Sequence, residues 1–187
     1  MTFKNQVIYQ IYPKSYLDTT GNGVGDLRGI ISKLDYLADL GIDMVWLNPI
    51  YPSPQRDNGY DISDYVAIDP VFGTMDDFET LIHEGKKRGI DIMLDMVLNH
   101  VSTEHEWFQK ALAGDPYYQD FFLIQDEPTD WVSNFGGSAW ATFGDTGQYY
   151  LHLLDVTQAD LNWRNENVRQ ELFDVVNFCL DNGVHCF

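Results

Sequence analysis

Asp91-Ile-Met-Leu-Asp95-Met-Val-Leu-Asn99-His100 is the stretch whose reading decides the fold. An apolar run of this kind predicts a strand covered on both faces, as in a parallel sheet, rather than one side of a half-solvated hairpin. It carries Asp95 inside it and delivers Asn99 and His100 at its end. In α/β folds ligands gather outside the carboxyl ends of parallel strands, so these three polar residues are candidates for a site. The competing reading is a buried strand whose polar groups are simply hydrogen-bonded.

Working outward, the same joint recurs. Gly41-Ile-Asp-Met-Val45, Gly89-Ile-Asp-Ile-Met93 and Gly183-Val-His-Cys-Phe187 each place a glycine helix stop directly before a strand. Such a repeat implies a βαβαβ…αβ order and hence a right-handed parallel α/β architecture. The first strand is Val7-Ile-Tyr-Gln-Ile-Tyr12, stopped by Pro13. Leu27, Ile30, Ile31, Leu34, Leu37 and Ala38 then fall at the spacing of one helix. A second strand covers Met44–Leu47 and a loop rich in Pro, Asn, Gly and Asp runs from Tyr51 to Phe72. Thr74 and Asp77 mark the start of a helix that Gly89 ends. From Val101 to Asn165 the βα alternation is lost amid Trp, Tyr, Phe, Gly and Asp, which reads as an inserted irregular subdomain. A last helix runs from an Asn165 cap to Leu180. The expected organisation is therefore three β/α units over 1–100, an insertion over 101–165, and a third helix with the start of a fourth strand over 166–187. Phe187 falls inside that strand, so the chain is expected to be part of something longer.

Of the 187 residues 44% are apolar and 21% charged, ordinary values for a folded domain. With 11 basic against 29 acidic residues the formal charge is −18, which argues against nucleic acid and anionic membranes as partners. The first residues lack the apolar core of a signal peptide, and no run reaches the ~18 apolar residues of a membrane span. A soluble cytoplasmic protein is expected. Cys179 and Cys186 form no CxxC pattern, so neither a disulfide framework nor a zinc site is indicated.

Three polar constellations follow predicted strands. Asp18-Thr-Thr20-Gly-Asn22-Gly-Val24-Gly-Asp26 sets oxygen-bearing residues at alternate positions around glycines. Hard cations take several oxygen ligands from one tight loop, whereas a glycine-rich turn braced by Asx hydrogen bonds explains the same pattern without a metal. Asp57-Asn-Gly-Tyr60-Asp61-Ile-Ser-Asp64-Tyr65 groups carboxylates with phenols. That mixture suits carbohydrate, because carboxylates accept from hydroxyls while rings stack on the pyranose face. His100 can donate to a sugar hydroxyl, act as a base, bind metal, or be a satisfied core histidine.

In their order and spacing, Val7-Ile-Tyr-Gln-Ile-Tyr-Pro13, Gly25-Asp-Leu-Arg-Gly29, Trp46-Leu-Asn-Pro49, Gly59-Tyr-Asp-Ile-Ser-Asp-Tyr65 and Asp95-Met-Val-Leu-Asn-His100 resemble the α-amylase family of glycoside hydrolases. Gln158-Ala-Asp-Leu-Asn162 resembles that family's oligo-1,6-glucosidase branch. Pro54-Gln-Arg-Asp-Asn-Gly59, the segment from Asn99 to Phe108, and Phe135-Gly-Gly-Ser-Ala-Trp140 are most similar to branch members acting on a phosphorylated disaccharide, trehalose 6-phosphate. The resemblance covers essentially the whole chain. It implies an α/β fold that is the N-terminal part of a (β/α)8 TIM barrel, with an irregular domain inserted after strand three. It also implies a small-molecule α-glucoside as substrate, with the phosphorylated disaccharide first and the 1,6- or 1,4-linked glucosides of the same branch as the alternative.

By the same resemblance Tyr60, Asp61 and His100 line the subsite for the non-reducing glucose, and Asp95, Asn99 and Gln158 support it. Asp18, Thr20, Asn22, Val24 through its carbonyl, and Asp26 match a loop that holds structural Ca2+ or Mg2+ in relatives, although Thr20 stands where some carry Asn. No organic cofactor is implied. The catalytic nucleophile, acid/base and helper carboxylates have no counterpart among the 187 residues; the first would stand about three residues past Phe187 on a barrel strand. The chain alone is therefore expected to be inactive. Two readings of another class are a non-catalytic amylase-like subunit of a membrane transporter and a truncated product without function.

Overall fold

A computed structural model describes residues 3–187. The chain divides into two compact units. The first comprises residues up to Pro52, Val66–Met96 and Val176–Phe187; the second comprises Ser53–Tyr65 and Val97–Val175. The sequence reading set its divisions at 100/101 and 165/166, and it left the 53–65 loop with the barrel. The second unit instead starts at Val97 and draws that loop in.

In the first unit β1 (Ile8–Ile11), α1 (Pro13–Tyr16), α2 (Leu27–Ser32), α3 (Leu34–Asp39), β2 (Met44–Leu47), α4 (Met75–Lys87) and β3 (Asp91–Leu94) follow in order. The sheet is parallel and ordered β1-β2-β3, with Ile11, Leu47 and Leu94 side by side. Beside β3, Cys186 forms a parallel bridge with Met93 and its carbonyl accepts from Leu94 N at 3.1 Å. The third glycine joint thus leads into parallel pairing, as its repeat predicts. Gly41, Gly89 and Gly183 take φ of 81°, 73° and 89°, the left-handed values that end helices and favour glycine.

Three expectations need correction. The strand at Asp91 is not ten residues long: it stops at Leu94, and His100 begins a separate strand in the second unit. Apolar character continues through Met96-Val-Leu98, but ladder pairing and not hydropathy decides where a strand ends, and Asp95 N makes the last bond of this edge, to Leu47 O at 3.2 Å. Nor are the two faces of the sheet evenly buried. Ile11, Leu47, Ile92 and Leu94 are buried on one face, while on the other Met44 is 2% exposed and its neighbour Ile8 44%. The covered face is the helical one: Ile92 approaches Gly85 of α4, where even a methyl group would meet the Ile90 carbonyl at 2.9 Å. Finally, the single helix over 27–38 is broken at Lys33. Ser32 Oγ donates back to Gly29 O at 2.7 Å and Lys33 N bonds Ile30 O, a tighter turn that interrupts the ladder while keeping Leu27, Ile30, Leu34 and Leu37 buried.

The α4 start is as predicted. Thr74 Oγ1 accepts from Asp77 N at 3.2 Å and the Asp77 carboxylate accepts from Thr74 N at 3.0 Å, a reciprocal capping box. Arg28 braces it from α2 with an ion pair to Asp77 at 2.8 Å.

The second unit contains β4 (His100–Ser102), α5 (Glu106–Leu112), α6 (Pro116–Gln119), β5 (Ile124–Gln125), β6 (Trp140–Thr142), β7 (Tyr149–Leu151) and β8 (Gln158–Asp160). β4 pairs antiparallel with β8, and β5-β7-β6 form a second antiparallel sheet. Its core is aromatic: Phe108 meets Phe122, Phe143 and Tyr150 edge-on, with ring centres 5.0–5.5 Å apart. The insertion is therefore short-stranded rather than irregular throughout. α7 (Glu166–Asp181) closes the chain and starts where Asn165 Oδ1 accepts from Asn167 N at 2.9 Å. Among the described residues no helix is long and apolar enough to cross a membrane.

Candidate functional site

The second unit gathers most of the predicted sugar-site residues. β4 and β8 are registered so that His100 stands opposite Asp160 and Ser102 opposite Gln158, which brings their side chains within reach across the ladder. His100 is 3% exposed. Its Nε2 lies 3.0 Å from the Tyr60 carbonyl, which can only accept, so Nε2 carries the proton and Nδ1 is the acceptor that faces Asn99 Nδ2 at 3.3 Å. Burial holds the imidazole pKa below its ordinary value and keeps the ring neutral. Asn99 Nδ2 also donates to Asp160 Oδ1. Burial raises the Asp160 carboxyl, against the bonds from Leu153 N and Asn99 that favour its ionised form.

Asp61 is wholly buried, and its carboxylate accepts from Ser53 Oγ at 2.8 Å, Arg56 N at 2.9 Å and Asp57 N at 3.1 Å. These bonds hold a loop in which Gln55 and Asn58 take φ of 63° and 51°, rare for residues with a Cβ. Asp61 therefore shapes the site more directly than it faces it. Tyr60 and Asp57 are part-exposed, as are Ser53, Gln55, Ser63 and Asp64, while Arg56 and Asn58 are exposed. Asp57 Oδ2 accepts from Gln158 Nε2 at 2.8 Å, and the fully buried Gln158 is fixed in turn by Asp155 N donating to its Oε1 at 3.0 Å. Tyr65 Oη donates to Val97 O at 2.6 Å and lies 3.0 Å from His100 O, which pins the turn into β4.

Tyr60, Asp61, Asn99, His100 and Gln158 thus belong to one connected network, whereas Asp95 stands in the first unit at the end of β3. Asp57 and Asp160 belong to the network too and were given no role in the sequence reading. Both lie inside motifs quoted there, and nothing in the spacing ranked one carboxylate above its neighbours.

The glycine-rich loop lies in the first unit. Asp18 accepts from Thr20 N, Gly21 N and Gly23 N at 2.8–2.9 Å, which lowers its pKa, the Gly23 bond most of all. Asn22 Oδ1 accepts from Val24 N, and Asp26 caps α2 through Gly29 N while also holding Thr19. The donor set of two carboxylates, an amide oxygen, a hydroxyl and a carbonyl has the chemistry of a hard-cation site. Among the described residues no group of three or more His, Cys, Asp or Glu is poised around a metal position, so any cation here would lean on the neutral oxygens.

The elements of the first unit are those of the leading strands and helices of a (β/α)8 barrel, and the second unit combines the 53–65 loop with the segment that follows its third strand. The chain belongs to the alpha-amylase family: residues 10–187 match the family described as "Alpha amylase, catalytic domain". It is 55% identical to the trehalose-6-phosphate hydrolase of Bacillus subtilis (strain 168) over 99% of this chain and 34% of that protein. It is 51% identical to an oligo-1,6-glucosidase of Heyndrickxia coagulans over 97% of this chain and 34% of that protein. The crystal structure of Bacillus licheniformis trehalose-6-phosphate hydrolase superimposes with a TM-score of 0.95 and 56% identity, covering 97% of this chain and 34% of that one. The chain thus spans about a third of the length of these relatives.

Proposed function

We propose that this chain is the substrate-holding leading part of a retaining α-glucosidase that splits trehalose 6-phosphate into glucose and glucose 6-phosphate. The observation that carries the reading is the Asp57–Gln158 and Tyr60–His100 network, set on a chain 55% identical to a trehalose-6-phosphate hydrolase. Asp57 offers a carboxylate to sugar hydroxyls, the Tyr60 ring offers a face to the pyranose, and neutral His100 and buried Gln158 fix both in place. Asp61 and Asn99 support that arrangement. Retaining hydrolysis also needs a nucleophile and an acid/base about 5–5.5 Å apart, which the family supplies from later strands. The phosphorylated substrate carries charge that does not cross a bilayer unaided, so the reading goes with a cytoplasmic enzyme, and the −18 charge goes with neither nucleic acid nor membrane as a partner. The second reading is an oligo-1,6-glucosidase, favoured by the 51% identity to that enzyme.

The test is an exchange in which these 187 residues replace the matching third of the B. subtilis hydrolase. The hybrid should release glucose from trehalose 6-phosphate faster than from isomaltose, and the isolated chain should release none from either. A hybrid faster on isomaltose would establish the second reading, and glucose release by the isolated chain would refute the division of labour.

For the glycine-rich loop the reading includes a structural Ca2+ or Mg2+ held by Asp18, Asn22, Asp26 and the Val24 carbonyl, with Thr20. Calcium at one hundred times its Kd would add about 2.7 kcal/mol to stability. A melting temperature raised by calcium in the native chain but not in Asp18→Ala is the expected result, and an equal response in both would remove the cation from the account.

A further inference from the structure

A cleft of about 460 Å3 in the second unit shares no residue with the Asp57–Gln158 network. Trp131, Trp140 and Trp163 line it, together with Gln125, Thr129 and Arg164. Two of the indoles are fixed by their ring N–H: Trp140 donates to Thr129 Oγ1 at 2.8 Å and Trp163 to Leu98 O at 2.9 Å. Trp131 lies beside Trp140, with ring centres 6.5 Å apart at 33°. Trp131 is 56% exposed and Trp163 44%, so large aromatic faces meet solvent, and that of Trp163 is set by its ring N–H bond. Held flat faces of this kind receive the apolar side of a hexose at little entropic cost.

The polar groups of the cleft are unbalanced. Thr129 Oγ1 already accepts from Trp140, and Asn162 Oδ1 from Arg164 N. Gln125 Nε2 is buried without a hydrogen-bond partner, and among the described residues the Arg164 guanidinium has no ion pair. No lining residue is acidic, in a chain with 29 acidic residues against 11 basic. Among the described lining residues Arg164 is the one charged group, and no carboxylate stands beside it in the lining. A neutral sugar brings as many donors as acceptors, whereas a phosphate brings acceptors only and matches a free guanidinium. The net charge of −18 opposes an anion, and Asp126 and Asp130 adjoin lining residues in sequence, with Glu127 beside Asp126, inside the screening length of about 8 Å, so the Arg164 contact has to outweigh them.

We propose that this cleft binds a hexose phosphate, with the sugar ring on the tryptophan faces and the phosphate on Arg164. It goes beyond the hydrolytic reading and needs none of the residues that reading uses. The test follows the indole N–H resonances of the 187-residue chain during titration with glucose 6-phosphate, with glucose, and with inorganic phosphate. Glucose 6-phosphate should shift the Trp131, Trp140 and Trp163 signals saturably, with either half-ligand at least about tenfold weaker. Arg164→Gln should weaken glucose 6-phosphate about tenfold while glucose is unaffected, a loss of one charge-assisted contact. Trp131→Ala, at an exposed position, should weaken both sugars, with unchanged dispersion of the remaining indole signals reporting an intact fold. No saturable shift, equal affinity for glucose and its phosphate, or indifference to Arg164→Gln would each overturn the proposal; none of the three depends on whether the hydrolytic reading holds.

Discussion

Replacing Asp61 by alanine is expected to destabilise the second unit by about 4.5 kcal/mol, the sum of three hydrogen bonds to a buried carboxylate at roughly 1.5 kcal/mol each. The partners are Ser53 Oγ, Arg56 N and Asp57 N, all on a loop where Gln55 and Asn58 sit in left-handed backbone. Without the carboxylate less offsets that strain, about 1 kcal/mol or more at each residue. The loop should relax and carry Asp57 away from Gln158. Urea denaturation measures the loss, and hydrogen exchange should show Arg56 and Asp57 amides losing protection first. Asp61→Asn keeps one acceptor and should fall between. A loss under about 1 kcal/mol for the alanine variant would mean that the loop is held by something else.

The second large effect belongs to Asp57. In the hybrid enzyme Asp57→Asn should lower kcat/KM for trehalose 6-phosphate roughly thirtyfold, because a charged acceptor on a sugar hydroxyl contributes about 2 kcal/mol more than a neutral one. The asparagine oxygen can still accept from Gln158 Nε2, so the melting temperature should move by no more than about 2 °C. An unchanged kcat/KM would place Asp57 outside the sugar contacts and leave it the structural role of holding Gln158. A fall matched by an equal loss of stability would mean the same.

Much of the fold was legible because glycine and capping chemistry act locally. Gly41, Gly89 and Gly183 end helices through left-handed backbone wherever they occur, and Thr74 with Asp77 closes a capping box within one turn. Strand length was not legible in the same way. Nothing in Asp91-Ile-Met-Leu-Asp95-Met-Val-Leu98 says that pairing ends at Leu94, since that depends on where the neighbouring strand offers partners. The break at Lys33 escaped for a related reason: a serine hydroxyl returning to Gly29 O competes with the helix without disturbing the apolar spacing.

The candidate site divides along the same line. Residue types pointed to a sugar, and the family resemblance of contiguous motifs pointed to Tyr60, Asp61, His100 and Gln158. Which carboxylate braces the loop and which meets solvent was decided only in three dimensions. Asp57 and Asp61 are four residues apart and chemically identical, yet folding buries Asp61 completely against amide donors and turns Asp57 to Gln158, more than a hundred positions along the chain. The tryptophan cleft is likewise a tertiary product: Trp131, Trp140 and Trp163 belong to no common motif, and the pairing of β5, β6 and β7 sets the elements around them. Sequence dictates what each short segment can bond to, and long-range packing decides which of those bonds are made, because only burial makes one partner much better than water.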